Sequence, residues 1–265
     1  MKKITSRDNA TFRQLKLLTQ SSRERRKQGR TVLDGMHLVS AWFERCGQPE
    51  LLAVSESGAR RVEIRDWLAA HPQAAPHVLG DPLFREVSPV DTPAGILALV
   101  AIPRPPDKVA IRGSCVLLEA IQDNGNLGAI LRTSAAAGVS EVFLGPGCVQ
   151  AWSPRVLRAA MGAHFMLRIH EHAALERVLG DFGGISVATQ PAAEKTIFDL
   201  DLTGSVAWVF GNEGGGLTSA TGAAAGQSVR IPMPGKVESL NVAAAAAICL
   251  FEEVRQKIVK GVQKT

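Results

Sequence analysis

Side chains able to act on a ligand gather in three short stretches: DNGNLGAILRT (residues 123–133), GNEGGGLT (211–218) and PMPGKVESLN (232–241). Each follows an apolar run that reads as a strand, and the first and third lead into helices. Strand, stiff loop and helix start together make a ligand site. The first stretch invites a dinucleotide-binding reading, but it offers only Gly125 and Gly128, not G-x-G-x-x-G, and the next strand, EVFLGPG, lacks a carboxylate at its end for a ribose diol. The second is glycine-rich without a GK[ST] ending, so it is no Walker loop. His170 and His172 flank Glu171 with no third ligand and no helical i, i+4 pair, and no metal is expected. His37 and His164 have no recognisable nucleophile partner, which leaves a Ser/His/Asp hydrolase without support.

The elements that must position these stretches follow from periodicity. Residues 242–251 are apolar on every face and mostly alanine, which predicts a helix buried on all sides against close-packed backbone. Ser239 is the expected N-cap, with Asn241 also in the first turn. Strands are expected at 115–121, 141–144, 185–189, 206–211 and 229–231, with a helix at 127–138 closing on Gly138. Apolar strands alternating with helices imply an α/β fold with a mostly parallel sheet covered on both faces, whose ligands bind at the carboxyl ends of strands.

Upstream, helical spacing at 10–20 and 36–46 alternates with strands in TVLDG, ELLAVSES, 77–79 and 95–102, a small α/β module of its own. The proline-rich segment IPRPPDK (102–108) reads as a stiff linker, placing one domain at 1–104 and a second at 109–265. The net charge of +5 is concentrated at the N-terminus: residues 1–30 hold ten Lys/Arg against Asp8 and Glu24. Such a cluster is the footprint of a nucleic-acid partner, or else a solvated surface. Hydrophobic content of 46% is typical of a globular chain with a core, so disorder is not expected. Cys46, Cys115, Cys148 and Cys249 form no C-x-x-C pair and are expected to be reduced. With no apolar leader and no run near the roughly 18 residues a membrane span needs, a cytoplasmic protein is expected.

Together the three stretches resemble the ordered motifs of the SpoU/TrmH family of RNA ribose 2′-O-methyltransferases. The N-x-G-x-x-x-R-T core of the first motif falls on Asn126, Gly128, Arg132 and Thr133; the second is VFGNEGGGLT and the third IPMPGKVESLNVAAAAAICLFE. RTVLDGMHLV (30–39) is similar to the family's N-terminal substrate-binding module. Ser134 stands where alanine is frequent and Asp34 where glutamate is commoner, departures that bear on subfamily rather than chemistry.

The resemblance implies an S-adenosylmethionine enzyme with a deep trefoil knot in the C-terminal domain. It implies cofactor contacts at Gly211, Ile231 and Leu240, with Thr189 and Met233 close by, and catalytic roles for Asn126, Arg132, Glu213, Ser239 and Asn241. In-line transfer to a ribose hydroxyl demands alignment and removal of a proton. A guanidinium is a poor base, so Arg132 is assigned to anchoring phosphate and stabilising the developing alkoxide, with phosphate or water taking the proton. Asn126 would orient ribose or phosphate, and Glu213 would position Arg132 or a substrate donor. Arg23, Arg25, Arg26, Lys27 and Arg30 are expected to contact RNA phosphates. Ribosomal RNA is the expected substrate, because a separate basic N-terminal module is similar to rRNA-directed members; tRNA, or a silent RNA-binding assembly factor, are the alternatives. A homodimer through the C-terminal domain is also expected, covering the stripe Leu250, Phe251, Val254 and Ile258.

Overall fold

Short β-branched and leucine-rich runs, each closed by glycine, proline or a polar cap, assemble into two sheets. The computed structural model describes residues 2–106, 111–212, 214–235 and 237–261. The chain divides into two units: Met1–Arg104 with Trp152–Phe165, and Pro105–Ala151 with Met166–Thr265.

In the first unit the elements are β1 (Lys2–Ile4), α1 (Ala10–Gln20), α2 (Ser22–Gln28), β2 (Arg30–Asp34), α3 (Met36–Cys46), β3 (Leu51–Ser55), α4 (Val62–Ala70), β4 (His77–Leu79), α5 (Asp81–Val87) and β5 (Ile96–Ala101). The sheet runs β1-β4-β3-β5-β2, with β5 antiparallel to both its neighbours. Asn9 caps α1 by accepting from the Thr11 and Phe12 amides, and this turns Phe12, Leu15 and Leu18 onto the sheet against Val32, Leu79 and Leu97. Ser21 caps α2, which ends at Gly29 in the left-handed region at φ 61°.

The second unit contains β6 (Cys115–Leu118), α6 (Asn124–Ala136) and β7 (Glu141–Leu144). After these come α7 (Pro154–Ala160), β8 (Arg168–Glu171), α8 (Leu175–Gly180), β9 (Ile185–Thr189), β10 (Val206–Phe210), α9 (Ser219–Ala224), β11 (Gln227–Val229) and α10 (Val242–Val259). Six parallel strands lie in the order β11-β9-β10-β6-β7-β8. Their inner positions are Cys115, Leu117, Ala188, Ala207 and Val209, fully buried as a sheet covered on both faces requires. Helix α7 is the exception to this grouping. Although it falls between β7 and β8 in sequence, residues 152–165 pack with the first unit: Thr31 Oγ1 donates to the Trp152 carbonyl at 2.7 Å, and Trp42 meets Phe165 edge-on at 5.3 Å.

Several expectations need correction. Asn241, not Ser239, caps α10: its Oδ1 accepts from the Ala243 and Ala244 amides. The helix runs 18 residues, and it is not buried all round, since Ala244, Ile248 and Phe251 are exposed while Val242, Ala246, Cys249 and Leu250 face inward. Its inner face carries Glu253, which accepts from Trp208 Nε1, Ser114 Oγ and Lys257 Nζ, so the end of the helix is fixed by a buried polar cluster. Helix α6 begins earlier than its apolar pattern, because Asp123 caps it by accepting from the Asn126 amide. The C-terminal edge strand stops at Val229 rather than Ile231. His170 lies in β8, which is not among the expected strands: Nε2 is 2.9 Å from Glu141 Oε2 and the ring stacks on Phe143. Among the described residues no helix is long and apolar enough to cross a membrane, and no group of three or more His, Cys, Asp or Glu could hold a metal.

Candidate active site

Strands β9, β10 and β11 are parallel, so their carboxyl ends open on one edge of the sheet. Three loops leave that edge: residues 189–191, residues 211–216, and the proline-containing segment from Val229 to the cap of α10. They enclose a cleft of about 350 Å³. Thr189, Gly211, Ile231, Met233 and Leu240 all line it, so the structure brings together every residue named from the sequence as a cofactor contact, and Ser239, given a catalytic role, lines it as well. Gln190, Asn212 and Arg230 line it too and were not among those site residues.

The glycine-rich loop is a tight turn. The amides of Asn212 and Gly216 donate to each other's carbonyls at 3.0 and 2.8 Å, and Asn212 Oδ1 accepts from the Gly214 and Gly215 amides. A Cβ on Gly211 would stand 2.3 Å from the Gly216 carbonyl oxygen, so only glycine permits this closure. Asn212 Nδ2 donates to the Ala120 carbonyl at 2.9 Å, which fastens the turn to the end of β6. Glu213 lies outside the described residues.

Beside the cleft the first and third stretches meet. Asn241 Nδ2 donates to Asn126 Oδ1 at 2.9 Å, so the cap of α10 is bonded to the first turn of α6. Arg132 is exposed on α6, six residues beyond Asn126. Its guanidinium is available to solvent or to an anionic ligand. Cys148 is no nucleophile: burial pushes its thiol pKa up, and Sγ donates to the Leu118 carbonyl.

Of the basic residues assigned to RNA, Arg23, Arg26 and Lys27 are exposed on α2. Arg25 is not available for phosphate. It is 5% exposed, and Nη1 donates to the carbonyls of Leu18 and Thr19, joining α2 to the end of α1. Arg30 is half-buried and pairs with Glu50 at 2.6 Å.

Residues 113–251 match the model of the SpoU rRNA Methylase family. The chain belongs to that family. An uncharacterised tRNA/rRNA methyltransferase of Synechocystis sp. is 34% identical over 96% of this chain and 94% of its own length. The 23S rRNA (guanosine(2553)-2′-O)-methyltransferase RlmP of Bacillus subtilis is 30% identical over 95% and 98%. The AdoMet-bound rRNA methyltransferase from Sinorhizobium meliloti superposes with a TM-score of 0.82 at 26% identity, covering 96% of this chain and 97% of that one. Within the SpoU family frame, the second and third motifs of this chain wall the cleft, and the first stands beside it through Asn126.

Proposed function

We propose that this chain is an S-adenosylmethionine-dependent RNA ribose 2′-O-methyltransferase acting on ribosomal RNA in the cytoplasm. The observation that carries the reading is a cleft lined by the second and third motif loops, with Asn126 of the first motif bonded to Asn241 at its side. The residues fit the cofactor. Gly211 lets the turn close on Gly216 and so form one wall, Met233, Leu240 and Val242 offer apolar surface for an adenine, and Thr189, Gln190 and Ser239 offer polar atoms. When bound, S-adenosylmethionine supplies an electrophilic methyl group on a sulfonium.

The rest of the chemistry belongs to the chain and the RNA. Main-chain groups at Gly211, Ile231 and Leu240 would hold the cofactor at little entropic cost, because the turn and the prolines fix them in advance. Arg132 anchors an RNA phosphate through its planar fork and stabilises charge developing on the 2′-oxygen. Asn126, itself held by Asn241, orients the ribose, and Ser239 and Glu213 complete the polar surround. The hydroxyl proton passes to phosphate or water, since a guanidinium does not accept it at neutral pH. The first unit supplies the RNA grip and the second the methyl-transfer fold. We read that fold as knotted, a reading supported by the β11-β9-β10-β6 order and by three loops crowding one strand edge.

The test is a map of 2′-O-methyl nucleotides in rRNA and tRNA from cells lacking the gene. Loss of one rRNA methyl, restored by the wild-type gene, is expected. Loss confined to tRNA would move the substrate. Intact methylation throughout, with no cofactor binding by the purified protein, would overturn the reading.

A further inference from the structure

Glu119 closes β6 with a carboxylate that the motifs do not account for. It is 5% exposed. Oε2 accepts from the Thr218 amide at 2.8 Å, and Oε1 accepts from Thr218 Oγ1 at 3.0 Å and Thr221 Oγ1 at 2.8 Å. Glu176 Oε1 stands 3.2 Å from the same Thr221 hydroxyl, so its one proton goes to the nearer Glu119. No Lys, Arg or His among the described residues pairs with Glu119. A buried carboxylate without a cation is costly unless its hydrogen bonds are strong, and those to an ionised acceptor are about twice as strong as neutral ones.

The placement gives that strength a use. Residues 211–218 leave β10 and return at the cap of α9, and they are tied at both ends to two consecutive residues of one strand end. Asn212 bonds to the Ala120 carbonyl and Thr218 to the Glu119 carboxylate. Between the ties are Gly214, Gly215 and Gly216, with Gly216 at φ 64°. Glycines have no side chains to hold a shape, and they lose the most freedom when ordered. The hydrogen bonds of Asn212 with Gly214, Gly215 and Gly216 shape the turn locally, the two ties hold that shape against the end of β6, and the turn forms one wall of the cleft.

We propose that Glu119 is a positioning residue for the cofactor: through Thr218 it keeps the glycine-rich turn in the closed shape that the cofactor binds. The proposal rests on the reading of the cleft as the S-adenosylmethionine site. Loosening one tie spreads the turn over more conformations, and the apparent dissociation constant rises as the competent fraction falls.

The test uses the full chain and calorimetry with S-adenosylmethionine, alongside steady-state methyl transfer to rRNA. Glu119→Gln keeps the shape but puts an amide N–H where Oε1 or Oε2 accepts. The dissociation constant and KM for the cofactor should rise roughly tenfold, with kcat at saturating cofactor and KM for RNA close to wild type. Thr218→Val, which removes the hydroxyl alone, should raise the cofactor constant less, and Thr218→Ser should recover most of that loss. This split and rescue separate positioning from general support of the fold. Unchanged cofactor binding in a folded Glu119→Gln protein overturns the proposal, as does a fall in kcat and melting temperature together with a rise in both KM terms. If Glu119→Gln does not fold, the Thr218 pair decides by the same criteria. Failure of the wild-type protein to bind the cofactor would instead remove the reading of the cleft, an outcome distinguishable from wild-type binding with indifferent variants.

Discussion

At the scale of single residues, function and stability are separable because different atoms carry them. Gly211→Ala should weaken cofactor binding by roughly tenfold or more with the fold retained, since a Cβ 2.3 Å from the Gly216 oxygen forces the turn open and not the sheet; calorimetry against circular dichroism decides. Arg132→Ala should leave cofactor affinity nearly intact and lower kcat by about 100-fold or more, because the role we propose for this exposed guanidinium is on the RNA side. Equal loss of both would contradict that assignment. Asp34 concerns stability instead. Its carboxylate oxygens are buried without a hydrogen-bond partner, and burial raises the pKa to about 6, only partly offset by Arg158 at 3.6 Å. The folded state thus holds the proton more tightly than the unfolded chain. Stability is greatest with Asp34 protonated, declines as pH rises from the ordinary carboxylate value near 3.8 through about 6, and stays lowered above it. The penalty is on the order of 3 kcal/mol. Asp34→Asn should therefore melt higher than wild type at about pH 7.5, with the gap closing toward about pH 4.

At the scale of elements, α2 gives the sharpest test of the RNA reading. Three of its basic side chains face solvent and one is structural. Neutralising Arg23, Arg26 and Lys27 should reduce the salt slope of RNA binding by roughly 0.7 to 0.9 for each phosphate that is no longer neutralised. Arg25→Ala should spare the slope and lower stability by roughly 2–4 kcal/mol, because the carbonyls of Leu18 and Thr19 are deprived of a charged donor. An unchanged slope in the triple variant would show a solvated face. That division was not visible in SRERRKQ, where four basic residues look alike until α1 fixes which side of the helix is covered. Other elements were legible to the degree that their patterns were local. Parallel strands read as apolar runs, and Gly138 ended α6 as expected, at φ 76°. Ser239 and Asn241 are both good caps, and only the path of the chain after Pro234 selects the second. RIHE has one fully apolar residue, too little to mark β8. Glu119 was missed because a carboxylate closing an apolar strand looks like that strand's wet end, and its partners lie about a hundred residues away.

At the scale of the whole molecule, the question is what covers the outer face of α10. Leu250 belongs to the core, and Val254 is half-buried. The stripe that remains is Ile248, Phe251, Ile258 and Val259, exposed by 37, 48, 67 and 73%. Their spacing keeps them near one side of a helix whose inner face is fixed by Glu253, so the stripe cannot turn inward without breaking that cluster. Large apolar side chains exposed along one side of a helix, here with Arg255 between Phe251 and Ile258, mark an association site, and a two-fold interface would bury them on both copies at once. We therefore expect a homodimer through the second unit. A fragment starting after Arg104 is a poor test, because it carries residues 152–165 away from β2 and strips Trp152 and Phe165 of their partners. The full chain is the right object. Phe251→Asp with Ile258→Asp, both at exposed positions, should preserve the melting temperature within a few degrees and convert dimer to monomer in sedimentation or light scattering at micromolar concentration. If the active site draws Arg132 or Asn126 from the partner copy, the monomer will bind S-adenosylmethionine and transfer nothing; if each copy is complete, transfer will survive. A wild-type protein that is already monomeric, or a double variant that still pairs, would end the idea.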